Sequence, residues 1–287
     1  MTNSIEISGL CKSYEDFALR DVSFTLPGGA IMGLIGENGA GKTTLIKCIL
    51  NLVRRDGGSI TLLGCDNVTE ERRAKAEIGV VLDECFFHDT LRPRDVEAIL
   101  APAFPDRWDS RLYRDYLDKF RLPGEKLIKE FSRGMKMKLS LAAALAHHPR
   151  LLLLDEATAG LDPVVRDEIL DEFLAFICDE DHSILISSHI TSDLEKAADY
   201  ITYLHQGQVV LSDTKDGILD NYGRAACTAQ QLKDIDPADL VRVRRGSFGC
   251  EALVADRGAF RRKYPHLLVE AIALEDIMLF MGKGESA

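Results

Sequence analysis

Residues 36–44 read Gly36-Glu37-Asn38-Gly39-Ala40-Gly41-Lys42-Thr43-Thr44. This run fits the pattern G-x-x-x-x-G-K-[ST], in which a glycine-rich loop places backbone N–H groups around phosphate oxygens. An apolar run at residues 30–35 precedes it and has the length of a buried strand. From Leu45 to Val53 apolar residues recur at helical spacing, which predicts a helix from about Lys42. Strand, loop and helix therefore come in the order that a phosphate site requires.

Each residue type of this loop has a chemical task. The glycines allow backbone angles that point successive N–H groups at an anion, and the following helix adds the positive end of its dipole. Lys42 supplies a positive charge to the terminal phosphates, and the Thr43 hydroxyl is placed to bind Mg²⁺. The alternative is a glycine-rich turn that only connects strand to helix, which the flanking pattern disfavours. We therefore predict a nucleoside triphosphate site.

Composition and charge narrow the class of protein. The chain has 287 residues, room for one large domain and a small second one, and its 46% hydrophobic and 28% charged residues are typical of a globular protein. A net charge of −11 argues against broad electrostatic binding, so no nucleic acid partner is expected. Neither a signal peptide nor an apolar run of about 18 residues is evident, which favours the cytoplasm. The seven scattered cysteines predict reduced thiols.

Three more segments are predicted to be buried strands. They occupy residues 78–82, 151–154 and 181–188, and polar side chains follow each of them. The four leucines at 151–154 suit a central parallel strand that is buried on both faces. Because ligands bind outside the carboxyl ends of parallel strands, we expect these polar side chains to lie beside the phosphate loop.

The polar side chains at these strand ends fit the chemistry of phosphate hydrolysis. Asp155 would hold Mg²⁺ through its water shell, and Glu156 would activate a water for attack on the γ-phosphate. His189 would donate a hydrogen bond to the same phosphate. Asp83 is a candidate metal ligand, with a simple surface acid as the alternative. Two adjacent acids are costly at a strand end unless a cation or substrate uses them, which favours a functional role for Asp155 and Glu156.

The remaining segments surround the predicted sheet. Alternating apolar residues near 5–7 and 22–26 predict two antiparallel strands. Between them, Tyr14 either stacks on a base or packs within a loop. Residues 85–146 have helical periodicity and predict a helical insertion. Residues 215–287 predict a small α+β appendage, which contains a hairpin that turns at residues 246–249.

Basic side chains cluster in this appendage of an otherwise acidic chain. They are Arg242, Arg244, Arg245, Arg261, Arg262 and Lys263. A solvated face is one interpretation, and contact with anionic lipid headgroups or with a partner chain is the other.

One further stretch separates this chain from other phosphate-loop proteins. Residues 130–136 read Glu130-Phe131-Ser132-Arg133-Gly134-Met135-Lys136. The stretch resembles the L-S-G-G-Q signature motif of ATP-binding cassette (ABC) proteins. Ser132 and Gly134 keep the motif's hydroxyl and bare N–H, which with the following helix N-terminus can form a second anion-binding surface. Phe131, Arg133 and Met135 depart from the consensus.

The resemblance covers roughly residues 4–214 and implies a role for each predicted site residue. Tyr14 takes the place of the aromatic that stacks on adenine, and residues 36–44 take the place of the Walker A loop. Asp155 ends the Walker B strand and is followed by the catalytic Glu156, while His189 corresponds to the switch histidine. The main departure is Asp83, which stands where the family has the Q-loop glutamine.

The resemblance also implies a fold and a mode of action. The fold is an α/β P-loop ABC ATPase core with an antiparallel β subdomain and a helical insertion. This nucleotide-binding domain would comprise residues 1–214, and residues 215–287 would form an accessory domain. Two copies, identical or related, would pair head to tail so that ATP with Mg²⁺ on one loop meets Ser132 and Gly134 of the other chain. Cycles of ATP binding and hydrolysis would then move a partner.

Three functions follow as candidates. Local sequence resembles bacterial ATPases that are paired with separate permeases, including exporters of drugs and antimicrobial peptides. Such a subunit would sit on the cytoplasmic face of the membrane and drive a transmembrane permease subunit. A soluble ABC ATPase that acts on the ribosome or in DNA repair is the alternative, and a P-loop kinase or GTPase would leave the signature stretch unexplained. The exporter hypothesis predicts an apolar groove for a permease helix, with Phe86, Phe87 and Leu91 as candidate lining residues.

Overall fold

The computed structural model describes residues 2–246 and 249–285. The chain divides into two compact units, Met1–Val209 and Val210–Ala287. The strands are β1 (Asn3–Ser13), β2 (Ala18–Pro27), β3 (Ile31–Ile35), β4 (Gly57–Leu62), β5 (Cys65–Asp66), β6 (Ile78–Val81), β7 (Leu151–Asp155), β8 (Ser183–Ser187), β9 (Tyr200–His205), β10 (Gln208–Thr214), β11 (Gly223–Cys227), β12 (Arg242–Gly246), β13 (Gly249–Val254) and β14 (Leu268–Ala271).

Helices fill the remaining regular segments. They are α1 (Lys42–Ile49), α2 (Glu71–Lys75), α3 (Pro93–Leu100), α4 (Ser110–Lys119), α5 (Arg133–Leu145), α6 (Pro163–Phe176), α7 (Thr191–Ala197), α8 (Lys215–Asn221), α9 (Ala229–Lys233), α10 (Arg257–Lys263) and α11 (Leu274–Lys283). Among the described residues, none of these helices is long and apolar enough to cross a membrane.

A mainly parallel sheet forms the centre of the first unit. Its strand order is β10-β9-β3-β8-β7-β6, and β3 pairs in parallel with both β8 and β9. Every residue of β3, β7 and β8 is buried, which explains why these strands are almost wholly apolar. Leu34 of β3 and Asp155 of β7 both pair with Ser187 of β8, so the carboxyl ends of these three strands lie level with one another. The predicted parallel strands are thus confirmed.

An antiparallel sheet covers one side of this unit's core. It has the order β2-β1-β4-β5, and Ile7 pairs with Phe24 in β2 and with Ile60 in β4. Apolar side chains of β1, β2 and β4 pack in one cluster with those of α1 and the central strands. The α/β P-loop core with an antiparallel β subdomain is therefore confirmed.

Helices α3, α4 and α5 form the predicted helical insertion. Local capping fixes where two of them begin. Asp109 accepts hydrogen bonds from the backbone N–H groups of Arg111 and Leu112 at 2.8 and 2.9 Å, and so starts α4. Ser132 caps α5 in the same way through Met135 N at 3.2 Å. Ser132, the hydroxyl residue of the predicted signature stretch, therefore lies at the N-terminus of a helix.

The second unit is a sheet of order β12-β13-β11-β14 with helices α8 to α11. The predicted hairpin is present, because β12 pairs with β13 from Arg242 opposite Leu253 to Gly246 opposite Gly249. Ser247 and Phe248, at the tip of the predicted turn, lie outside the described residues.

Part of the predicted basic cluster is neutralised within the second unit. Lys263 Nζ lies 2.6 Å from Asp239 Oδ2, and Arg245 Nε lies 3.3 Å from Glu285 Oε2. Arg261 Nη2 donates to the carbonyl of Val269 at 2.5 Å. The two ion pairs reduce the charge that the cluster can offer to a lipid surface, which favours the solvated-face interpretation.

Candidate functional site

The phosphate loop joins β3 to α1, as the sequence predicts. Gly41 is the residue before the helix and has a left-handed φ of 109°. A Cβ atom at Gly41 would lie 2.5 Å from the ring of Phe17, and one at Gly36 would lie 2.4 Å from the carbonyl oxygen of Leu204. Both positions therefore require glycine, and Gly39, with φ of 82°, also adopts the left-handed conformation.

Lys42 lies beneath this loop with its ammonium group held in place. The side chain is only 6% exposed. Its Nζ donates to the carbonyl oxygen of Gly36 at 2.8 Å and lies 3.4 Å from Glu156 Oε1. The outer face of the loop is open, because Glu37, Asn38 and Thr43 are exposed. A buried cation below an exposed glycine-rich loop is the arrangement that polyphosphate binding needs.

The residues after β7 and β8 meet at the same edge. Asp155 is 1% exposed, and its Oδ1 accepts a hydrogen bond from Ser187 Oγ at 2.5 Å. Ser187 Oγ also accepts from the backbone N–H of Glu156 at 3.1 Å. His189 Nδ1 lies 2.6 Å from Glu156 Oε2, so the ring donates to the carboxylate when that nitrogen carries its proton. Lys42, Glu156 and His189 thus form one connected cluster.

Glu156 holds its place through an unusual backbone. Its φ is 53°, in the left-handed region that a residue with a side chain adopts at a cost of about 1–2 kcal/mol. The conformation turns the chain sharply away from β7, so that the carboxylate contacts Lys42 on one side and His189 on the other. A carboxylate fixed between a cation and an imidazole can take a proton from a water molecule.

The oxygen groups that would hold Mg²⁺ come from two elements. The Thr43 hydroxyl is at the start of α1, and the Asp155 carboxylate ends β7. Hydroxyl and carboxylate oxygens are the ligands that Mg²⁺ prefers, with waters and phosphate oxygens completing its shell, so these residues fit the ion. No group of three His, Cys, Asp or Glu side chains forms a closed metal site among the described residues.

Four of the predicted site residues lie apart from this cluster. No hydrogen bond or ion pair within residues 2–246 and 249–285 joins Tyr14, Asp83, Ser132 or Gly134 to the phosphate loop. Tyr14 and Ser132 are exposed, and their predicted roles in binding ATP stay predictions. Asp83 is exposed in the loop after β6, and its predicted role as a metal ligand stays a prediction.

Three contributing residues were missed by the sequence reasoning. Ser187 orients Asp155, and Phe17 packs where a Cβ of Gly41 would be. Arg133 lies against the neighbouring loop, since a Cβ at Gly160 would be 3.0 Å from its guanidinium. The only sequence signal was at Ser187, a polar residue that ends an apolar strand two positions before the predicted histidine.

Comparisons with known proteins agree with this geometry. The model of the ABC transporter family matches residues 19–159. The lantibiotic transport ATP-binding protein SrtF of Streptococcus pyogenes is 35% identical over 216 residues, which are 74% of this chain and 92% of that protein. The bacitracin transport ATP-binding protein BcrA of Enterococcus faecalis is 35% identical over 210 residues, covering 72% of this chain and 68% of that protein.

Solved structures give the same result. An ATP-binding subunit of an ABC transporter has a solved structure and is 28% identical in sequence. The match covers 75% of this chain and 91% of that subunit, with a TM-score of 0.66. A dimeric ATP-binding cassette bound to ADP and Pi has the same fold at 18% sequence identity. The match has a TM-score of 0.66 and covers 73% of this chain and 98% of the cassette chain. The chain therefore belongs to the ABC transporter family and is an ATPase of that family.

Proposed function

We propose that this ATPase is the energy-supplying subunit of an exporter and drives a separate transmembrane permease from the cytoplasmic face of the membrane. The contact of Glu156 with both Lys42 and His189 is the observation that carries the hydrolytic part of the proposal. Support for export comes from relatives, which are named for transport of a lantibiotic, transport of bacitracin and export of Nod factor.

Hydrolysis of ATP can be derived from the cluster. The loop N–H groups and Lys42 bind the phosphates, and Thr43 with Asp155 supplies ligands for Mg²⁺, which neutralises phosphate charge when bound. Glu156 takes a proton from a water as the water oxygen attacks the γ-phosphorus, which releases ADP and inorganic phosphate. His189 Nδ1 lies 2.6 Å from Glu156, so a proton on Nδ1 lets the histidine hold the base. Donation to the γ-phosphate would need a proton on the other ring nitrogen, Nε2.

A second chain would complete the site. Ser132 is exposed at the N-terminus of α5, and it makes no hydrogen bond to the phosphate loop among the described residues. Gly134 follows it, and a Cβ there would lie 3.1 Å from Val165 of α6, so the backbone is close to that helix. Head-to-tail pairing, with an identical or a related chain, would bring these donors to the ATP of the partner.

The permease would bind an apolar groove beside the edge strand β6. The groove is a cavity of about 300 Å³ whose apolar lining includes Val80, Leu82, Phe86, Phe87, Leu100 and Phe104. Phe86 is 73% exposed and extends this apolar lining at the surface, and a contiguous exposed apolar patch is typical of a protein contact. His147 also lines the groove, and burial lowers the pKa of its ring to about 4, so it stays uncharged at neutral pH. Leu91 does not line this cavity, which corrects one of the three predicted lining residues.

Replacing Phe86 with aspartate tests the coupling to a permease. When the chain is co-expressed with its permease, we expect Phe86→Asp to lower the membrane-bound fraction at least about tenfold, because a charge replaces an apolar contact. Turnover of ATP by the isolated chain is expected to change less than about twofold. Membrane flotation and phosphate release measure the two quantities.

Leu52→Asp is the matched control, since Leu52 is also an exposed apolar residue but lies at the end of α1 rather than in the groove. This variant is expected to keep both properties. Equal membrane binding by Phe86→Asp and Leu52→Asp would exclude the groove as the contact. An unaltered chain that never reaches the membrane would instead favour the soluble ABC ATPase.

A further inference from the structure

Two cysteines face each other across neighbouring strands of the second unit. Cys227 ends β11 and is the register partner of Cys250 in β13. Both thiols are free, and both side chains belong to the apolar cluster of this unit, with exposures of 8% and 5%. Directly opposed residues of an antiparallel pair point to the same face, with Cα atoms about 4.5–5.5 Å apart. A disulfide spans Cα separations of about 4.4–6.8 Å, so the two backbones already have the required spacing.

The pair also borders a cavity that a small reagent can enter. The cavity has a volume of about 560 Å³, and Thr228, Gln231 and Arg245 line it together with the two cysteines. Arg245 is the register partner of Cys250 on its other side, so Arg245, Cys250 and Cys227 form one row across three strands. A small molecule in this cavity would lie against both cysteines.

We propose that Cys227 and Cys250 are a modification site, where exchange with a low-molecular-weight disulfide such as oxidised glutathione forms an intramolecular disulfide. No other cysteine of the described residues has a cysteine as its register partner. The nucleotide site uses neither residue. The product would tie β11 to β13 and close the chain between them, which contains α9 and β12.

The exchange takes place in two steps that balance. First, the thiolate of Cys250 attacks one sulfur of the small disulfide, a mixed disulfide forms at Cys250, and one small thiolate leaves with a proton. Second, Cys227 loses its proton and attacks the Cys250 sulfur, so that the second small thiol is released. Two protein thiols are oxidised and one small disulfide is reduced to two thiols.

The surroundings of Cys227 slow its own attack on a disulfide. Burial raises the pKa of the Cys227 thiol, and the nearby Cys250 raises it further, because two thiolates side by side repel each other. Only a thiolate attacks a disulfide, so the raised pKa lowers the rate at which Cys227 reacts. Without Cys227 no thiol lies opposite Cys250, so its replacement should stop the reaction at the mixed disulfide.

Mass spectrometry of the full chain tests the proposal. After incubation with oxidised glutathione, we expect the protein to lose two hydrogen atoms at this site, and digestion to give a linked peptide pair that contains Cys227 and Cys250. Dithiothreitol should restore both thiols. In Cys227→Ser, one glutathione is expected to remain bound to Cys250, with no linked peptide.

Cys178 provides an internal control, because its exposed thiol should take up glutathione in every sample. If Cys178 is modified while Cys227 and Cys250 remain open to alkylation as free thiols, the proposal is wrong. Stable glutathione on both residues of the unaltered protein, without a link between them, would overturn it equally. Hydrogen exchange gives a second readout, since the linked form should exchange more slowly in β11 and β13.

Discussion

Glu156→Gln is expected to lower ATP turnover at least about 100-fold while ATP still binds. The amide has the size of the carboxylate and can still contact His189, but it cannot take a proton from water. Because hydrolysis is what reopens the proposed dimer, the variant should also accumulate as an ATP-bound pair of chains. Phosphate release measures turnover, and size-exclusion chromatography with ATP measures pairing.

A second Glu→Gln variant separates this effect from a general loss of charge. Glu180 is exposed and lies between α6 and β8, so Glu180→Gln should keep full turnover. Thermal unfolding of both variants would show whether the fold is intact. Normal ATPase rates in Glu156→Gln would refute the assignment of this residue as the base, whatever the state of the dimer.

Lys42→Ala is expected to weaken ATP binding about 10- to 100-fold, which corresponds to the roughly 1.5–3 kcal/mol of a charge-assisted hydrogen bond. The ammonium group lies below the loop, where it donates to the Gly36 carbonyl and pairs with Glu156 at 3.4 Å. Its loss removes the buried cation expected to face the phosphates and leaves Glu156 with His189 alone as its partner. Titration with a fluorescent ATP analogue measures the affinity.

Lys47→Ala is the matched control on the same helix. Lys47 is exposed in the last turn of α1, away from the loop, so its removal should leave ATP affinity within about twofold. Thermal unfolding would show that both proteins remain folded. Unchanged affinity in Lys42→Ala would contradict the role of this lysine in phosphate binding.

The part of the site that the sequence predicts well is the part governed by local backbone chemistry. The helix begins at Lys42 as the apolar spacing predicts, because glycines on its N-terminal side are the residues that tolerate the required turn. The strand that ends at Asp155 is equally clear, since a wholly apolar run is stable only where both faces are covered.

Contacts between distant segments could not be predicted. Nothing in the residues near Asp155 indicates that Ser187 donates to it, because that bond depends on the register of β7 against β8. Leu91 shows the same limit. It lies near Phe86 in the sequence, yet it is outside the cavity lining. Its backbone N–H donates to the carbonyl of His88, and its own carbonyl accepts from the N–H of Ile128.

The strand order of the central sheet also determines when the first unit can fold during synthesis. β3, which leads into the phosphate loop, ends at Ile35, yet its neighbours β8 and β9 begin only at Ser183 and Tyr200. Chains leave the ribosome N-terminus first, so this strand must wait for partners that are made much later. Pairing between such distant segments is slow, because the chain loses the entropy of closing a long loop before the contacts that compensate for this loss can form. A nascent chain that stops short of β8 has the whole glycine-rich loop in its sequence but cannot form the cluster of Lys42, Glu156 and His189.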